Sequence, residues 1–227
     1  MKDLYIVFGS ESELLKDLYK RENTFFIRIY NNRIPVPMEN SIDVNSFEAF
    51  QLEFESLFEK SKPRKIIFLG AAFITQTKLF FQEDISDVKQ ILNSNITSYV
   101  LYVHYLIPFM IKIKGGQFIY LSSFRSTATC KGVSLYGASK AFGEKFFEII
   151  GKENGVFGIN SASIRMGYFD GRMTNVMSDD KIKQFRLSIG NRKLGSSKDL
   201  ISAINFIIEN NYTNGGIIDL TGGISFN

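Results

Sequence analysis

Short apolar runs and helical patterns alternate along nearly the whole chain, and this alternation restricts the fold more than any other feature. The runs at 4–8, 25–30, 65–69, 117–121, 159–164 and 217–220 are four to six residues long and rich in Ile, Phe, Val and Tyr. Most are followed by a turn or polar break, as buried parallel strands should be. Helix-like stretches lie between them at 11–20, 45–59, 88–113, 139–154 and 198–210. Start signals mark some of these, among them Asn45-Ser46 and the Ser196-Ser197 pair before Asp199. The order predicts right-handed crossovers and an α/β fold: a Rossmann-type, doubly wound, mostly parallel sheet with helices on both faces. Residues 1–227 read as a single domain, without repeat, linker or low-complexity tract. Ligands of such sheets bind beyond the carboxyl ends of the strands, at the switch point. The irregular stretch 166–181 is expected to be a loop over that edge, with helical pieces.

Composition narrows the classes. With 44% apolar and 22% charged residues, 227 residues suffice for a large core of ordinary globular type. The 22 Phe and 10 Tyr, without Trp, point to thick packed layers rather than a special aromatic site. The net charge of +4 is spread out, with no run of five basic residues, so no nucleic-acid footprint is expected. A single cysteine, Cys130, cannot close an intrachain disulfide, which suits a reducing compartment. The start of the chain runs straight into the 4–8 segment, too short for a signal-peptide core. The longest apolar stretch, 99–113, contains His104 and Pro108 and is expected to fall short of a membrane span. A cytoplasmic protein is the expectation.

Tyr136-Gly137-Ala138-Ser139-Lys140 sets a phenol and an ammonium four residues apart, on one face of a helix. A free tyrosine, with a pKa of about 10, is a poor proton donor or acceptor at neutral pH. A nearby lysine favours the phenolate and brings the group toward the range where acid–base catalysis works. By itself the pair is weak evidence, because about one such spacing is expected by chance. Its surroundings carry more. Ser122-Ser123 ends the 117–121 run, Ser123 lies thirteen residues before Tyr136, and Asn95 lies in the preceding helical stretch.

In this order of residues the chain resembles the short-chain dehydrogenase/reductase family from end to end. That family places an Asn in a helix, a Ser after the fifth strand, and then Tyr-x-x-x-Lys; Asn95, Ser123, Tyr136 and Lys140 match it. The resemblance implies that Ser123 polarises a substrate carbonyl and Tyr136 donates the proton as hydride arrives from a nicotinamide. Lys140 would lower the tyrosine pKa and hold the nicotinamide ribose, and Asn95 would hold a water of the proton relay.

On the cofactor side the family's G-x-x-x-G-x-G becomes Gly9-Ser10-Glu11-Ser12-Glu13-Leu14-Leu15, in which Glu13 and Leu15 replace two glycines. Their side chains oppose the close approach a pyrophosphate needs, although Ser10 and Ser12 can still donate to phosphate at a helix N-terminus. Asp43-Val44 matches the family's Asp-Val pair, with the Asp on the adenine amino group. Gly70-Ala71-Ala72 stands in place of Asn-Asn-Ala-Gly and keeps a floor of small residues. Asn31, Asn32 and Arg33 follow the second strand without a carboxylate for the ribose 2′-OH. With Arg33 or Arg28 nearby, NADP(H) is favoured over NAD(H). Met166-Gly167 stands where the family has Pro-Gly; the following Thr position holds Gly171, with Thr174 three residues on. The segment Gly215-Gly216-Ile217-Ile218-Asp219-Leu220-Thr221-Gly222-Gly223 resembles the family's last strand and its Gly-Gly ending.

Two readings follow. The first is an oxidoreductase interconverting a carbonyl and a hydroxyl on a small biosynthetic molecule, its substrate chosen by the loops 127–135 and 166–181. The second is a binding or regulatory protein on the same fold with impaired cofactor binding. The family also implies a homodimer or homotetramer built on the helices 88–113 and 139–154, where Tyr99, Tyr102, Val103, Leu106, Phe142, Phe146 and Phe147 offer apolar surface. The alternative is that all of these are intramolecular core. No metal is expected, with one His and one Cys far apart in sequence. His104 is expected in packing or at an interface, Cys130 in the loop before Tyr136, and Asp179-Asp180 at a solvated helix start.

Overall fold

The computed structural model describes residues 2–10, 12–30, 38, 40–71, 78–171, 174 and 177–224. Seven parallel strands form one sheet: β1 (Asp3–Phe8), β2 (Thr24–Ile29), β3 (Ser41–Val44), β4 (Ile66–Gly70), β5 (Gly116–Ser123), β6 (Ile159–Met166) and β7 (Gly216–Leu220). Their order across the sheet is β3-β2-β1-β4-β5-β6-β7, so the winding reverses between β1 and β4. All six predicted runs are strands, with ends that differ from the predicted ones by at most two residues. The seventh, β3, escaped the sequence reading. It is a four-residue edge strand, Ser-Ile-Asp-Val, with three of its residues only half-buried, too short and too polar to register as an apolar run.

Six α-helices are described: α1 (Phe47–Ser61), α2 (Ile85–Leu92), α3 (Ser98–Ile113), α4 (Ser134–Asn154), α5 (Asp179–Ser188) and α6 (Ser197–Glu209). Ser46 caps α1 by accepting from the Ala49 amide at 3.1 Å, and Ser196 forms a capping box with Asp199 on α6. The acidic pair Asp179 and Asp180 opens α5, inside the stretch expected to be mostly loop.

Both sheet faces are covered. Phe50, Phe54 and Phe58 recur at helical spacing along α1 and meet α3 edge-to-face: Phe50–Tyr102 at 4.8 Å and Phe54–Phe109 at 4.9 Å. Aromatic pairs of this geometry add about 1 kcal/mol each beyond their buried area. The abundant phenylalanines thus build one layer of core with α1, α3 and α4. On the other face Leu15, Leu18 and Tyr19 pack with Leu200, Ile204 and Ile207 of α6.

Three expectations need correction. The 11–20 stretch forms no α-helix among its described residues but two 3₁₀ turns, Glu13–Leu15 and Leu18–Lys20. A ten-residue segment is below the length at which helices hold by themselves, and burial of Leu15, Leu18 and Tyr19 fixes these turns instead. Second, α2 and α3 join through a π-helical turn, Asn93–Thr97, into one helix from Ile85 to Ile113. Its length and composition suffice to cross a membrane, contrary to the estimate from 99–113 alone. Here, however, its inner face, from Tyr99 through Val103 and Leu106 to Met110, is buried against the sheet. Third, Tyr99, Tyr102, Val103, Leu106 and Phe147 are intramolecular core, leaving only Phe142 and Phe146 of the proposed interface set partly exposed. His104 is exposed on the outer side of α3.

Candidate active site

The site grows from the junction of β5 and α4. All eight residues of β5 are buried, and its last two are Ser122 and Ser123. The Ser123 hydroxyl accepts from the Arg125 amide at 3.3 Å and caps the short turn Phe124–Ser126. The helix α4 starts at Ser134, earlier than predicted, which places Tyr136 in its first turn and Lys140 one turn on. Gly143 lets this helix press onto β5, since a Cβ there would lie 2.2 Å from the Tyr120 ring. This close approach seats Lys140 beneath the tyrosine. Its Nζ donates to the Leu121 carbonyl and lies 4.9 Å from the Tyr120 ring centroid and 5.6 Å from that of Tyr136.

The Ser123 side chain lies near enough to the Tyr136 hydroxyl to favour its ionised form. Burial raises the Tyr136 pKa to about 12, against the lowering effects of Ser123 and of the Arg125 charge. The expectation that Lys140 pulls this tyrosine toward neutrality is not met, because burial of the phenol raises its pKa and burial also weakens the charge of the lysine. Lys140 is 2% exposed, and desolvation takes its pKa down to about 7, with Glu144 acting in the opposite direction. At neutral pH the phenol is therefore protonated and the lysine is poised to gain or lose its charge.

That lysine makes a stability prediction. Its folded value near 7 lies below the ordinary 10.5, so between these pH values the unfolded chain holds a proton that the native protein has released. Stability rises with pH across this window, and the burial penalty is complete below pH 7. Urea denaturation should therefore find Lys140→Met more stable than the natural protein by about 2 kcal/mol at pH 6. This advantage should shrink toward pH 10. An advantage that grows with pH would contradict the assignment.

Asn95 lies in the π-helical turn, fully buried, and its Nδ2 donates to Ser139 Oγ at 3.1 Å. Ser139 Oγ in turn donates to the Tyr136 carbonyl at 2.8 Å. Asn95 thus reaches α4 through Ser139. π-Helical turns are frequent at functional sites because the widened turn re-aims a side chain.

The cofactor-side residues fall around the reversal between β1 and β4. Gly9 has φ +73 and follows β1, and a Cβ there would stand 3.0 Å from Ala71 Cβ. Ser10 is 4% exposed, and its hydroxyl has no hydrogen-bond partner among the described residues. Ser12 is half-buried at the start of the first 3₁₀ turn. Glu13 points to solvent and Leu15 into the core, so neither side chain fills the crevice, but the full helix end that would face a phosphate is missing. Gly70 abuts the Tyr99 ring, and the Tyr99 hydroxyl donates to the Ala71 carbonyl. Val44 is core, while both Asp43 oxygens are taken by Arg28, at 2.7 and 2.8 Å. Arg28 is 3% exposed and committed to this pair, which removes it as a ligand for a 2′-phosphate. Asn31, Asn32, Arg33 and Ala72 lie outside the described residues. Gly167 allows the Thr221 backbone to approach, and Thr174 is spent on its own turn, bonding Gly171. A small-residue floor with an orphaned hydroxyl at the switch point fits a dinucleotide. Its phosphate grip is weaker than a complete helix N-terminus would provide.

One cluster escaped the sequence reading. Glu144 accepts from Ser122 and Ser126, both at 2.7 Å, and from Arg165 at 2.9 and 3.0 Å. Arg165 also reaches Asp219 at 3.0 Å. Burial alone would raise the Glu144 pKa, but the bonds from Arg165, Ser122 and Ser126 hold it below the usual carboxylate value. The signal was in the spacing, for Tyr136, Lys140 and Glu144 follow one another every four residues.

This geometry has known counterparts. The family model described as short chain dehydrogenase matches residues 38–182. A 3-oxoacyl-[acyl-carrier-protein] reductase FabG of Buchnera aphidicola is 28% identical over 167 residues, spanning 73% of this chain and 68% of that protein. An acetoacetyl-CoA reductase of Allochromatium vinosum is 25% identical over 184 residues, spanning 80% and 74%. Among solved structures, a short chain dehydrogenase of Leptospira borgpetersenii with bound NAD+ aligns over 98% of this chain and 92% of its own, at TM-score 0.83 and 17% identity. ElxO with NADP bound aligns over 97% of both chains, also at 0.83 and 17%. The chain therefore belongs to the short-chain dehydrogenase family.

Proposed function

We propose that this protein is an NAD(P)-dependent oxidoreductase that interconverts a carbonyl and a hydroxyl on a small molecule. The observation that supports this most is the buried ammonium of Lys140 held 5.6 Å from the Tyr136 ring, at the end of the strand that Ser123 closes. Ser123 donates to the substrate carbonyl oxygen and withdraws electron density from its carbon. Tyr136 passes its proton to the developing alkoxide. Its position in the first turn of α4 eases the charge left behind, because a helix N-terminus favours an anion. Lys140 supplies or holds a proton beneath the phenol, and Asn95 braces this helix and takes the water of the relay. A nicotinamide dinucleotide, when bound, supplies or accepts the hydride. Gly9, Ser10, Ser12, Gly70, Ala71 and Gly167 are its proposed cradle, with Tyr136 and Lys140 at the ribose.

NADP(H) is preferred in this reading because Asn31, Asn32 and Arg33 provide no carboxylate after β2. Asp43 keeps a second lone pair on each oxygen for the adenine. We place the protein in the cytoplasm as a homodimer or homotetramer, with Val100, Leu101, Phe142 and Ile149 exposed on the outer faces of α3 and α4. Nucleic acid and membrane have no part in this reading. The names of the relatives suggest 3-oxoacyl compounds as first substrates to try. Fluorescence titration should give saturable binding of NADPH, tighter than NADH by about tenfold. No saturable binding of either at millimolar concentration would replace this reading with that of a binding protein that has lost its cofactor.

A further inference from the structure

The mouth of the site holds one charge that the proton chemistry does not require. Arg125 stands two residues after Ser123, and its amide bonds the Ser123 hydroxyl at 3.3 Å. Its carbonyl lies against the catalytic helix, 2.8 Å from where a Cβ on Gly137 would sit. Its backbone is thus held between Ser123 and the first turn of α4, which carries Tyr136. The guanidinium lies 5.2 Å from the Phe124 ring centroid and is half-exposed. Its field reaches the hydroxyls of both Tyr136 and Tyr168. Phe124 and Tyr168 meet at 5.1 Å, and Tyr168 stacks on Phe185 of α5 at 4.0 Å, so an aromatic wall backs this space.

What sets Arg125 apart from its neighbour Arg165 is its lack of compensation. Arg165 is paired with Glu144 and Asp219, while no carboxylate lies within ion-pair distance of Arg125 among the described residues. An arginine fork has the geometry to take two oxygens of a carboxylate or phosphate. A cation held beside the reacting carbonyl, backed by rings and left without a counterion, is completed by an anion that arrives with the substrate. We infer that Arg125 determines specificity by binding an anionic oxyacid group, carboxylate or phosphate, on a small keto or hydroxy substrate. This rests on the oxidoreductase reading and narrows it: the charge belongs close to the reacting carbon, unlike that of a neutral acyl thioester.

The test compares matched probes: acetoacetate with methyl acetoacetate, and 2-oxopropylphosphonate with its dimethyl ester. NADPH consumption at 340 nm gives kcat/KM for each, in the natural protein, Arg125→Met and Arg125→Lys. The readout is the ratio of anion to ester, because any effect of Arg125 on the Tyr136 phenol applies to both members of a pair and cancels. The natural protein should prefer one anion over its ester by about tenfold to a hundredfold. Arg125→Met should bring that ratio close to one, and Arg125→Lys should restore part of it. Which pair responds tells carboxylate from phosphate. Calorimetric binding of the same anions to natural and Arg125→Met protein decides the matter without turnover. Arg125-dependent anion binding with no reduction of any probe would overturn the oxidoreductase reading and keep the anion site. Reduction with a ratio unmoved by Arg125→Met would do the reverse. No anion binding by the natural protein, or equal binding by both, overturns the anion site.

Discussion

Tyr136→Phe should lower kcat for carbonyl reduction by about three orders of magnitude while leaving NADPH binding and the fold intact. The substitution removes one oxygen. Ring, helix and the aromatic contact with Lys140 stay, so a loss of that size reports the missing proton and not a damaged site. Ser123 keeps the Arg125 amide. Stability should change little, by about 1 kcal/mol or less, because one hydroxyl leaves and no buried polar partner is stranded. Single-turnover oxidation of NADPH against methyl acetoacetate or an acetoacetyl thioester, beside a binding titration, separates the two quantities. A variant that turns over at a near-normal rate would end the proposed mechanism.

The sheet was legible because its inner strands, buried on both faces, read as continuous apolar runs, and the edge strand β7 keeps such a run in Ile217, Ile218 and Leu220 although it is half-exposed. The other edge strand, β3, lacks one with its Ser-Ile-Asp-Val, and the 11–20 segment failed in the other direction. Its apolar spacing is helical, but the chain there is too short to sustain a helix and is held by Leu15, Leu18 and Tyr19. The candidate positions were legible through their order along the chain, since Asn95, Ser123, Tyr136 and Lys140 fall on elements that meet at the end of β5. Their electrostatics were not. Whether a lysine depresses a neighbouring phenol depends on how deeply both are buried, and sequence does not carry depth. Lys140 is so enclosed that it loses much of its own charge, and Tyr136 moves upward instead of down. Surface for an oligomer was misjudged for the same reason, because Tyr99, Tyr102 and Phe147 looked equally suited to an interface and to the core they occupy.

Glu144 shows what else depth conceals, and replacing it should have the largest effect on stability. Its carboxylate joins four elements: Ser122 at the end of β5, Ser126 of the following turn, Arg165 of β6, and α4 on which it stands. Glu144→Leu removes the carboxylate at the centre of that cluster and leaves Arg165, whose side chain is 15% exposed, with the Ser126 hydroxyl and the solvent-facing Asp219. Breaking one side of a buried pair costs about 3–5 kcal/mol, since the remaining charge stays desolvated. Removing both sides, Glu144→Leu with Arg165→Met, should recover more than half of that loss, because no charge is then stranded. Urea denaturation of the two single variants and the double variant measures this coupling. Additive losses, or a single-variant cost below about 1 kcal/mol, would show the cluster to be incidental. The pH dependence has a definite sign. The carboxyl is held below its ordinary 4.5, so its stabilisation is complete above that value and lost as pH falls through the lowered one. The same carboxylate favours the charged form of Lys140, one turn away on α4. In a properly folded Glu144→Gln protein the lysine should therefore deprotonate at lower pH than in the natural one. Any limb of the pH–rate profile that belongs to Lys140 should then move to the acid side. Such a shift would identify Glu144 as the residue that keeps the buried lysine charged beneath Tyr136, linking a structural ion pair to the proton chemistry above it.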